Sequence, residues 1–418
     1  MTGNSSAAAA AAEPGSDRRG IAPAERLRNI AWVVSVAFVI GCVGYFGYAI
    51  YQVANRDIAG LSVPNDFSVM WAAGKLALQG RAVEAFDVEL LNQTRNLPPW
   101  TGDAGYRMGW LYPAHFHALV TPFGLMPFMT AWLLFSLAGL TAFAVAARQL
   151  IPSGPAAMIA IASPAVLMCL IQGQNTLIVG ALLAGFLAAL RAQNVVLAGV
   201  MLGLLTVKPQ FGPLLPLVLI VSGAWRIIGW AIVTVAALFV ASFLWVGADY
   251  WVAFLDGIRI TDEWIRTGWL PRHLMVTWYA FGLASGLGPD QAKWLQMGAA
   301  LAVAVLVVWA WHREDLTFER KAAILTFAIP LVTPYAYFYD LVLPVLGAGL
   351  LLAMPGPRDP LRLVAVIAIW ALPTLGHGLR EVGLVHGFAF LGAPVLTLSL
   401  IALLVNMPRP LQVTHDAS

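Results

Sequence analysis

The chain has 418 residues, of which 60% are hydrophobic and 11% are charged. Soluble domains carry about 25% charged residues, so this composition excludes a water-soluble fold and indicates an integral membrane protein. The formal net charge of +3 is too small to indicate a nucleic-acid partner. Long, solidly apolar runs exclude a membrane barrel, whose strands alternate, and predict an all-α fold of transmembrane helices.

The first 29 residues are rich in Ala, Gly and Ser and carry four arginines, and we predict that 1–29 is a disordered cytoplasmic tail. The apolar run after it is too long for a signal peptide and therefore predicts an uncleaved first helix. The predicted helices lie at about residues 30–53, 128–148, 155–171, 176–191, 194–207, 209–222, 228–247, 294–311, 321–334, 338–354, 361–377 and 386–406. The count is open around 194–222 and 274–287, which gives about 11–13 transmembrane helices.

Basic residues predict the orientation, because short cytoplasmic loops are rich in Lys and Arg. With the N-terminus inside, each short inner loop receives at least one of them, and the C-terminal tail 407–418 returns to the cytoplasm. Two long outer segments follow, at about 54–127 and 249–293. We therefore predict a single transmembrane domain over 30–406, in a bacterial inner (plasma) membrane, with its chemistry on the extracytoplasmic side.

Asp66 lies just beyond the first predicted helix, flanked by Phe67 and Trp71. A carboxylate that is partly removed from water has a raised pKa and is a better proton acceptor, so Asp66 is a candidate general base. The alternative is that Asp66 caps the next helix, because Asn-Asp before a helical pattern is a common N-terminal signature.

Tyr112 precedes two histidines, His115 and His117, at the end of the first outer segment. Side chains two positions apart on a helix point to different faces, so the histidines are a poor metal pair. A hydrogen bond from one of them to the substrate is one interpretation, and a satisfied histidine at the membrane interface is the other.

Amides and a lysine interrupt two apolar hairpins at their outer turns: Gln174 and Asn175 in one, Lys208 and Gln210 in the next. Such groups are costly at the membrane boundary unless they face a polar cavity. Amides suit sugar hydroxyls or phosphate oxygens, and a lysine suits phosphate. The alternative is a polar turn whose lysine extends to the water interface.

The second outer segment interleaves charged residues with tryptophans, and within it Arg272 and His273 are the candidates for binding a phosphate. The alternative for most of this segment is an interfacial aromatic belt with surface ion pairs. Tyr337 and Asp340 lie at a third outer turn rich in aromatic residues. They either line a carbohydrate site or anchor a helix end.

The order of these motifs resembles glycosyltransferase family 87, the mannosyltransferase-like membrane enzymes of the GT-C fold. The matching motifs are Asp66-Phe67, Trp71-Ala72-Ala73, Gly80, Phe86-Asp87, Tyr112-Pro113, Gly173-Gln174-Asn175, Lys208-Pro209-Gln210 and Tyr337-Phe338-Tyr339-Asp340. The chain departs from the family where a second proline usually follows Tyr-Pro, since Ala114 and His115 stand here.

The resemblance implies a polyprenyl-phosphate sugar as donor, a glycolipid or glycan acceptor, extracytoplasmic transfer and inversion at the anomeric carbon. It implies that Asp66 is the general base. Lys208, Gln174, Arg272 and His273 are then expected at the donor phosphate. The residues expected at the sugar or acceptor are Tyr112, His115, His117, Asn175, Gln210, Tyr337 and Asp340.

No cofactor or metal is required if cationic side chains neutralise the phosphate, although paired acids in the outer segments leave a divalent cation open. Two rival interpretations are a secondary transporter and a protein that handles lipid-linked glycans without transferase activity. Transporters usually place ionisable residues near the membrane midplane, whereas the acids here concentrate at outer helix ends.

Overall fold

The structure, a computed structural model, describes residues 23–54, 65–95, 108–355, 359–381 and 387–405. The α-helices are α1 (Pro23–Ala54), α2 (Asn65–Leu78), α3 (Val88–Arg95), α4 (Ala114–Val120), α5 (Phe128–Leu150), α6 (Gly154–Ile161), α7 (Pro164–Gln172), α8 (Thr176–Arg191), α9 (Val195–Leu204), α10 (Leu214–Val221), α11 (Trp225–Arg266), α12 (Trp278–Ala284), α13 (Pro289–His312), α14 (Phe318–Val332), α15 (Val342–Ala353), α16 (Pro360–Glu381) and α17 (Gly392–Val405). Short 3-10 turns join several of them. The predicted all-α fold is confirmed.

Six helical segments in the described ranges are long and apolar enough to cross a membrane, and the bent pair α6 and α7 adds a seventh if it is one broken span. The six lie in α1, α5, α11, α13, α16 and the segment that contains α17. The predicted polytopic membrane protein is confirmed. The number that can cross alone is below the predicted 11–13, because α8, α9 and α15 belong to apolar segments of only 10–17 residues. A full span needs about 20 residues.

Several helix ends differ from the predicted ones. Helix α1 begins at Pro23, within the predicted tail, while the rest of that tail and the predicted tail 407–418 lie outside the described residues. The predicted helix 155–171 is divided at Ser163-Pro164. Proline disfavours helical backbone at the residue before it, and the Ser163 hydroxyl accepts a hydrogen bond from the Val166 amide at 3.4 Å, so α7 begins anew there.

The predicted outer segment 249–293 is largely helical. Helix α11 is divided at Gly247, whose φ of 75° is not helical, and a second helical part follows beyond this kink. Beyond the kink the helix packs on the first outer segment, where the rings of Phe86 and Tyr250 lie 4.9 Å apart. The apolar stretch 274–287 contains only the seven-residue helix α12, which is too short to cross the membrane.

Helices α14 and α15 form the centre of the bundle, and nearly all their side chains are buried. They pack so closely that a Cβ on Gly347 would overlap the Thr326 hydroxyl. Helices α1 and α11 lie at the periphery and expose most of their apolar side chains. At one end of the bundle, the start of α2 meets three interruptions: the α7–α8 turn, the α9–α10 connection and the α14–α15 connection.

Candidate active site

Asp66 lies in the first turn of α2, one residue after the helix begins at Asn65, and the interpretation that it caps this helix stays a prediction. The partial positive charge of a helix N-terminus favours a carboxylate there. The next residue, Phe67, is fully buried and contacts the rings of Phe128 and Phe135 at centroid separations of 5.7 and 5.1 Å. This anchor fixes the first turn of α2, and with it the position of the Asp66 carboxylate.

Gly173 brings the α7–α8 turn against α2. Its φ is +65°, and a Cβ there would lie 2.5 Å from the Cβ of Phe67, so only glycine satisfies both constraints. The next residue, Gln174, is buried and hydrogen-bonds to the Asp66 side chain. Its Oε1 accepts the backbone N–H of Asn175 at 3.0 Å, which leaves its amide Nε2 to donate to the Asp66 carboxylate.

Burial raises the pKa of Asp66 from its ordinary value of 3.8 to about 6. The Gln174 hydrogen bond and the positive charges of Lys208 and Arg95 oppose this shift, while the negative charge of Asp340 adds to it. The Asp66 carboxylate is therefore mostly ionised at pH 7 and more basic than an exposed aspartate. A proton acceptor with a pKa near the working pH is suited to general base catalysis.

Lys208 lies in the α9–α10 connection, between the 3-10 turns Leu205–Val207 and Pro209–Phe211. Its side chain is buried, and its ammonium lies 3.0 Å from Oδ1 of Asp340. The same ammonium donates to the Thr176 hydroxyl at 2.9 Å, and that hydroxyl donates to Oδ1 of Asp340 at 2.6 Å. Three separate interruptions of the bundle are thus joined by one buried ion pair and a threonine.

A cluster of tyrosines surrounds the ion pair. Oδ2 of Asp340 accepts the backbone N–H of Tyr337 at 2.8 Å, which closes the 3-10 turn before α15. The rings of Tyr337 and Tyr339 stack at 5.4 Å, Tyr335 packs edge-on against Tyr337, and the Lys208 ammonium lies 5.3 Å from the centre of the Tyr339 ring. Asp340 therefore anchors a helix end, as the alternative interpretation expected, and does so within the site.

Two of the predicted residues from the first outer segment lie at or beside the site. The Tyr112 hydroxyl hydrogen-bonds to Gln174, and burial raises the pKa of Tyr112 well above its ordinary value. His115 lies 3.3 Å from the Thr206 hydroxyl through its Nε2, and burial lowers the pKa of His115 to about 4. Their roles toward an acceptor stay predictions.

His117 has a structural position instead. Its ring is fully buried, with Nδ1 3.1 Å from the Tyr250 hydroxyl and Nε2 2.8 Å from the backbone oxygen of Ala73. Burial lowers the pKa of His117 to about 4, so the ring is neutral at pH 7. With both nitrogens engaged, His117 joins α4 to α2 and α11, which corresponds to the interpretation of a satisfied histidine.

Arg272 and His273 lie on a 3-10 turn at the rim of the site. This segment contacts the tyrosine cluster through the backbone, where the N–H of Val276 donates to the oxygen of Ala336 at 2.9 Å. Arg272 is exposed and His273 is partly buried. The structure thus brings Gln174 and Lys208 together beside Asp66 and leaves Arg272 at the surface.

Asn175 is fully buried, and neither end of its side-chain amide has a hydrogen-bond partner among the described residues. A buried polar group without a partner costs roughly 1–3 kcal/mol, so it is a candidate for function. Gln210 is partly buried two positions after Lys208. The predicted sugar or acceptor contacts of Asn175 and Gln210 stay predictions.

Sequence reasoning missed Arg95 and Thr176. Arg95 is at the end of α3, where its guanidinium donates to the Ser68 hydroxyl at 2.8 Å and to Asn92 Oδ1 at 2.6 Å. An arginine in a long outer segment carries no sequence signal that separates it from surface charge. Thr176 directly follows Gln174 and Asn175, and this position next to two predicted site residues could have identified it.

Paired acids in the outer segments left a divalent cation open, and the two acids at the site have other partners. Asp340 is paired with Lys208, and Asp66 is hydrogen-bonded to Gln174. Within the described ranges, no group of three His, Cys, Asp or Glu side chains is placed to hold a metal ion.

A comparison with known protein families supplies the identity. The model of glycosyltransferase family 87 matches residues 110–334, which is more than half of the chain. The chain belongs to glycosyltransferase family 87. The predicted resemblance is confirmed, and membership in this family favours a transferase over a transporter. The comparison with curated proteins found no match.

The matched segment of this glycosyltransferase includes Tyr112, Gln174 and Lys208. Asp66 lies before the segment and Asp340 lies after it. The family match therefore establishes the class of enzyme, and it does not cover these two acids.

Proposed function

We propose that this glycosyltransferase transfers a sugar from a polyprenyl-phosphate donor to a lipid or glycan acceptor, with inversion and with Asp66 as general base. The observation that carries the proposal is the environment of one carboxylate. Asp66 has a pKa of about 6, is held by Gln174, and lies within the electrostatic influence of Lys208 and Arg95. A base and two cations in one buried site are the groups that this reaction requires.

The reaction balances as a single displacement. The acceptor hydroxyl gives its proton to the Asp66 carboxylate as its oxygen forms a bond to the anomeric carbon. The bond between that carbon and the donor phosphate oxygen breaks, and its electron pair leaves with the polyprenyl phosphate. One displacement inverts the anomeric carbon, and no covalent nucleophile is needed.

The cations stabilise the leaving group. Negative charge grows on the phosphate in the transition state, so fixed positive charges stabilise that state more than the bound substrate. The Lys208 ammonium is buried and fixed by Thr176 and Asp340, and Arg95 is fixed by neighbours on α2 and α3. Arg272, which is exposed, would contact a phosphate on its way into the site.

A lipid-linked donor fits a site at one end of a membrane-embedded bundle. Its isoprenoid tail remains in the bilayer while its phosphate stays at the interface, where the start of α2 and the three interruptions meet. We place this end on the extracytoplasmic side of a bacterial plasma membrane, because the opposite end holds the short basic loops. The helices would then form a single GT-C-type domain, and the sugar would be mannose or another hexose or pentose.

Replacement of Asp66 tests the proposal. The full chain in lipid nanodiscs is given polyprenyl-phosphate mannose or polyprenyl-phosphate arabinose, with a membrane lipid extract as acceptor, and release of polyprenyl phosphate is measured. Asp66→Asn removes the base with little change of shape, so we expect kcat to fall about 100- to 10,000-fold.

The matched control is Asp256→Asn, because Asp256 is an exposed acid that pairs with Arg259 on the surface of α11. We expect this variant to keep wild-type turnover. Full activity of Asp66→Asn, or no release of polyprenyl phosphate from either donor by the unsubstituted protein, would contradict the proposed function.

A further inference from the structure

One side chain, Asp340, uses both carboxylate oxygens to join sequence-distant parts of the site. Oδ1 is 3.0 Å from the Lys208 ammonium and accepts the Thr176 hydroxyl at 2.6 Å, and Oδ2 accepts the backbone N–H of Tyr337 at 2.8 Å. The residue is only 2% exposed. A sugar could contact this carboxylate only by displacing partners that already satisfy it, so a direct role in substrate binding is a poor fit.

The partners of Asp340 connect directly to the base. Thr176 lies two residues after Gln174, which hydrogen-bonds to Asp66, so a single turn touches both the ion pair and the base. Lys208 and Asp340 also act on Asp66 through their charges, with opposite signs. The position of the Lys208 ammonium therefore affects the acidity of Asp66, and Asp340 determines that position.

We propose that Asp340 is a positioning residue for glycosyl transfer, which holds the Lys208 ammonium against Thr176 and so sets the electrostatic field at the Asp66 carboxylate. The inference rests on the proposed role of Asp66. It assigns Asp340 a different task from the predicted sugar or acceptor contact. A buried cation that binds phosphate needs a compensating charge. Without Asp340, the Lys208 ammonium would be an uncompensated buried charge with no fixed position.

Titratable groups from several described elements lie near Asp66. The ones whose charge acts on it are Arg95 on α3, Lys208 in the α9–α10 connection and Asp340 in the α14–α15 connection. The titratable groups that are neutral there are Cys169 on α7, Tyr112 before α4, and Tyr335, Tyr337 and Tyr339 in the tyrosine cluster. Burial raises the pKa of Tyr112, Tyr335 and Tyr337, so protons on these phenols do not titrate in the range of the test.

The test measures kcat/KM for polyprenyl-phosphate mannose or arabinose, whichever is turned over, against pH. The acid limb of that profile reports the pKa of the base in the free enzyme. Asp340→Asn removes a negative charge from the field and leaves the positive charge of Lys208 unopposed. We expect the acid limb to move to lower pH by roughly half a unit to one unit.

Lys208→Met should move the acid limb in the opposite direction. Loss of the positive charge leaves Asp340 unopposed, which disfavours the ionised form of Asp66, so the acid limb moves to higher pH. The double variant Asp340→Asn with Lys208→Met removes both charges and places the limb between the two single variants. A purely structural role for Asp340 would lower activity at all pH values without moving the limb.

Asp262→Asn is the matched control, because Asp262 forms a comparable ion pair with Lys293 at 2.7 Å on an exposed surface. Its acid limb should coincide with that of the unsubstituted protein. If Asp340→Asn fails to fold, Lys208→Met is compared with the double variant, which differs from it only at Asp340. An acid limb that lies at lower pH in the double variant than in Lys208→Met supports the inference.

Two results distinguish a failure of the inference from a failure of the proposed function. If Asp66→Asn is inactive but the acid limb is the same with and without the Asp340 carboxylate, the inference is overturned and the proposed function stands. If Asp66→Asn keeps full activity, the proposed function falls and the inference falls with it.

Discussion

At the scale of single residues, the acidity of Asp66 is a balance between burial and a few polar neighbours. Burial is the largest influence and raises the pKa, while the Gln174 amide is the first of the groups that lower it. A raised pKa of about 6 means that the base is protonated in acid solution, so activity should be lost as the pH falls through about 6. The Gln174 side chain also hydrogen-bonds to Tyr112, whose phenol keeps its proton over this pH range.

Removal of the Gln174 amide should shift this balance further. Gln174→Leu deletes a hydrogen bond that favours the ionised carboxylate, so the pKa of Asp66 rises and the acid limb of kcat/KM moves above that of the unsubstituted protein. Gln79→Leu is the control, because Gln79 is exposed after the far end of α2. An acid limb that moves to lower pH in Gln174→Leu would disprove this account of the base.

At the scale of elements, the site is assembled from helix ends and helix breaks. Asp66 is in the first turn of α2, Thr176 begins α8, Lys208 separates two 3-10 turns, and Asp340 lies in the turn before α15. Helix ends leave backbone groups and short polar side chains available at membrane depth, which regular helices do not. The position of each interruption therefore decides which side chains lie near Asp66.

Gly173 in the α7–α8 turn and Gly223 in the α10–α11 turn are a matched pair of glycines for testing this idea. Gly173 and Gly223 have nearly equal φ of +65° and +64°, but only at Gly173 would a Cβ meet other atoms, 2.5 Å from Phe67. Gly223→Ala should cost about 1 kcal/mol of stability and keep full activity. Gly173→Ala carries the same strain and also displaces the turn from α2, so Gln174 moves away from Asp66.

We expect Gly173→Ala to lower the thermal unfolding temperature more than Gly223→Ala, and kcat to fall at least tenfold in Gly173→Ala alone. Thermal unfolding in detergent and release of polyprenyl phosphate measure the two effects. Equal losses of activity in both variants would show that backbone strain, and not the contact with α2, is responsible.

At the scale of the whole molecule, the site lies at one end of the bundle and the short basic loops lie at the other. Helix α13 connects the two ends: it begins at Pro289, near the α12 segment, and ends at His312, before Arg313. A helix of 24 residues is about 36 Å long, enough to cross the hydrocarbon core. The two ends of α13 should therefore be exposed on opposite faces of the membrane.

Cysteine labelling tests the orientation. Ser285→Cys and Glu314→Cys introduce exposed thiols before and after α13, and the native Cys42 and Cys169 are partly and fully buried. A membrane-impermeant maleimide should label Ser285→Cys in intact cells, and Glu314→Cys only after the cells are opened. The unsubstituted protein measures background labelling. The reverse pattern would place the candidate site on the cytoplasmic face.

Some features are beyond the reach of the sequence for a physical reason. Apolar runs locate helices well, but they do not state whether a run of 10–17 residues, such as those that contain α8 and α15, crosses the membrane. His117 fits a substrate-binding pattern by its position, yet Tyr250, 133 residues away, occupies one of its ring nitrogens. Sequence spacing carries no information on such a partner.

By itself, the sequence determined the membrane location, the all-α fold and the short polar motifs that hold Asp66, Gln174, Lys208 and Asp340. Apolar runs and interrupting polar residues are local features, so local patterns are sufficient to find them. Only the tertiary structure decided that Lys208 pairs with Asp340, 132 residues away, and that the positive charge of Arg95 lowers the pKa of Asp66. Pairings of this kind depend on how whole helices pack against one another, and no single helix specifies its neighbours.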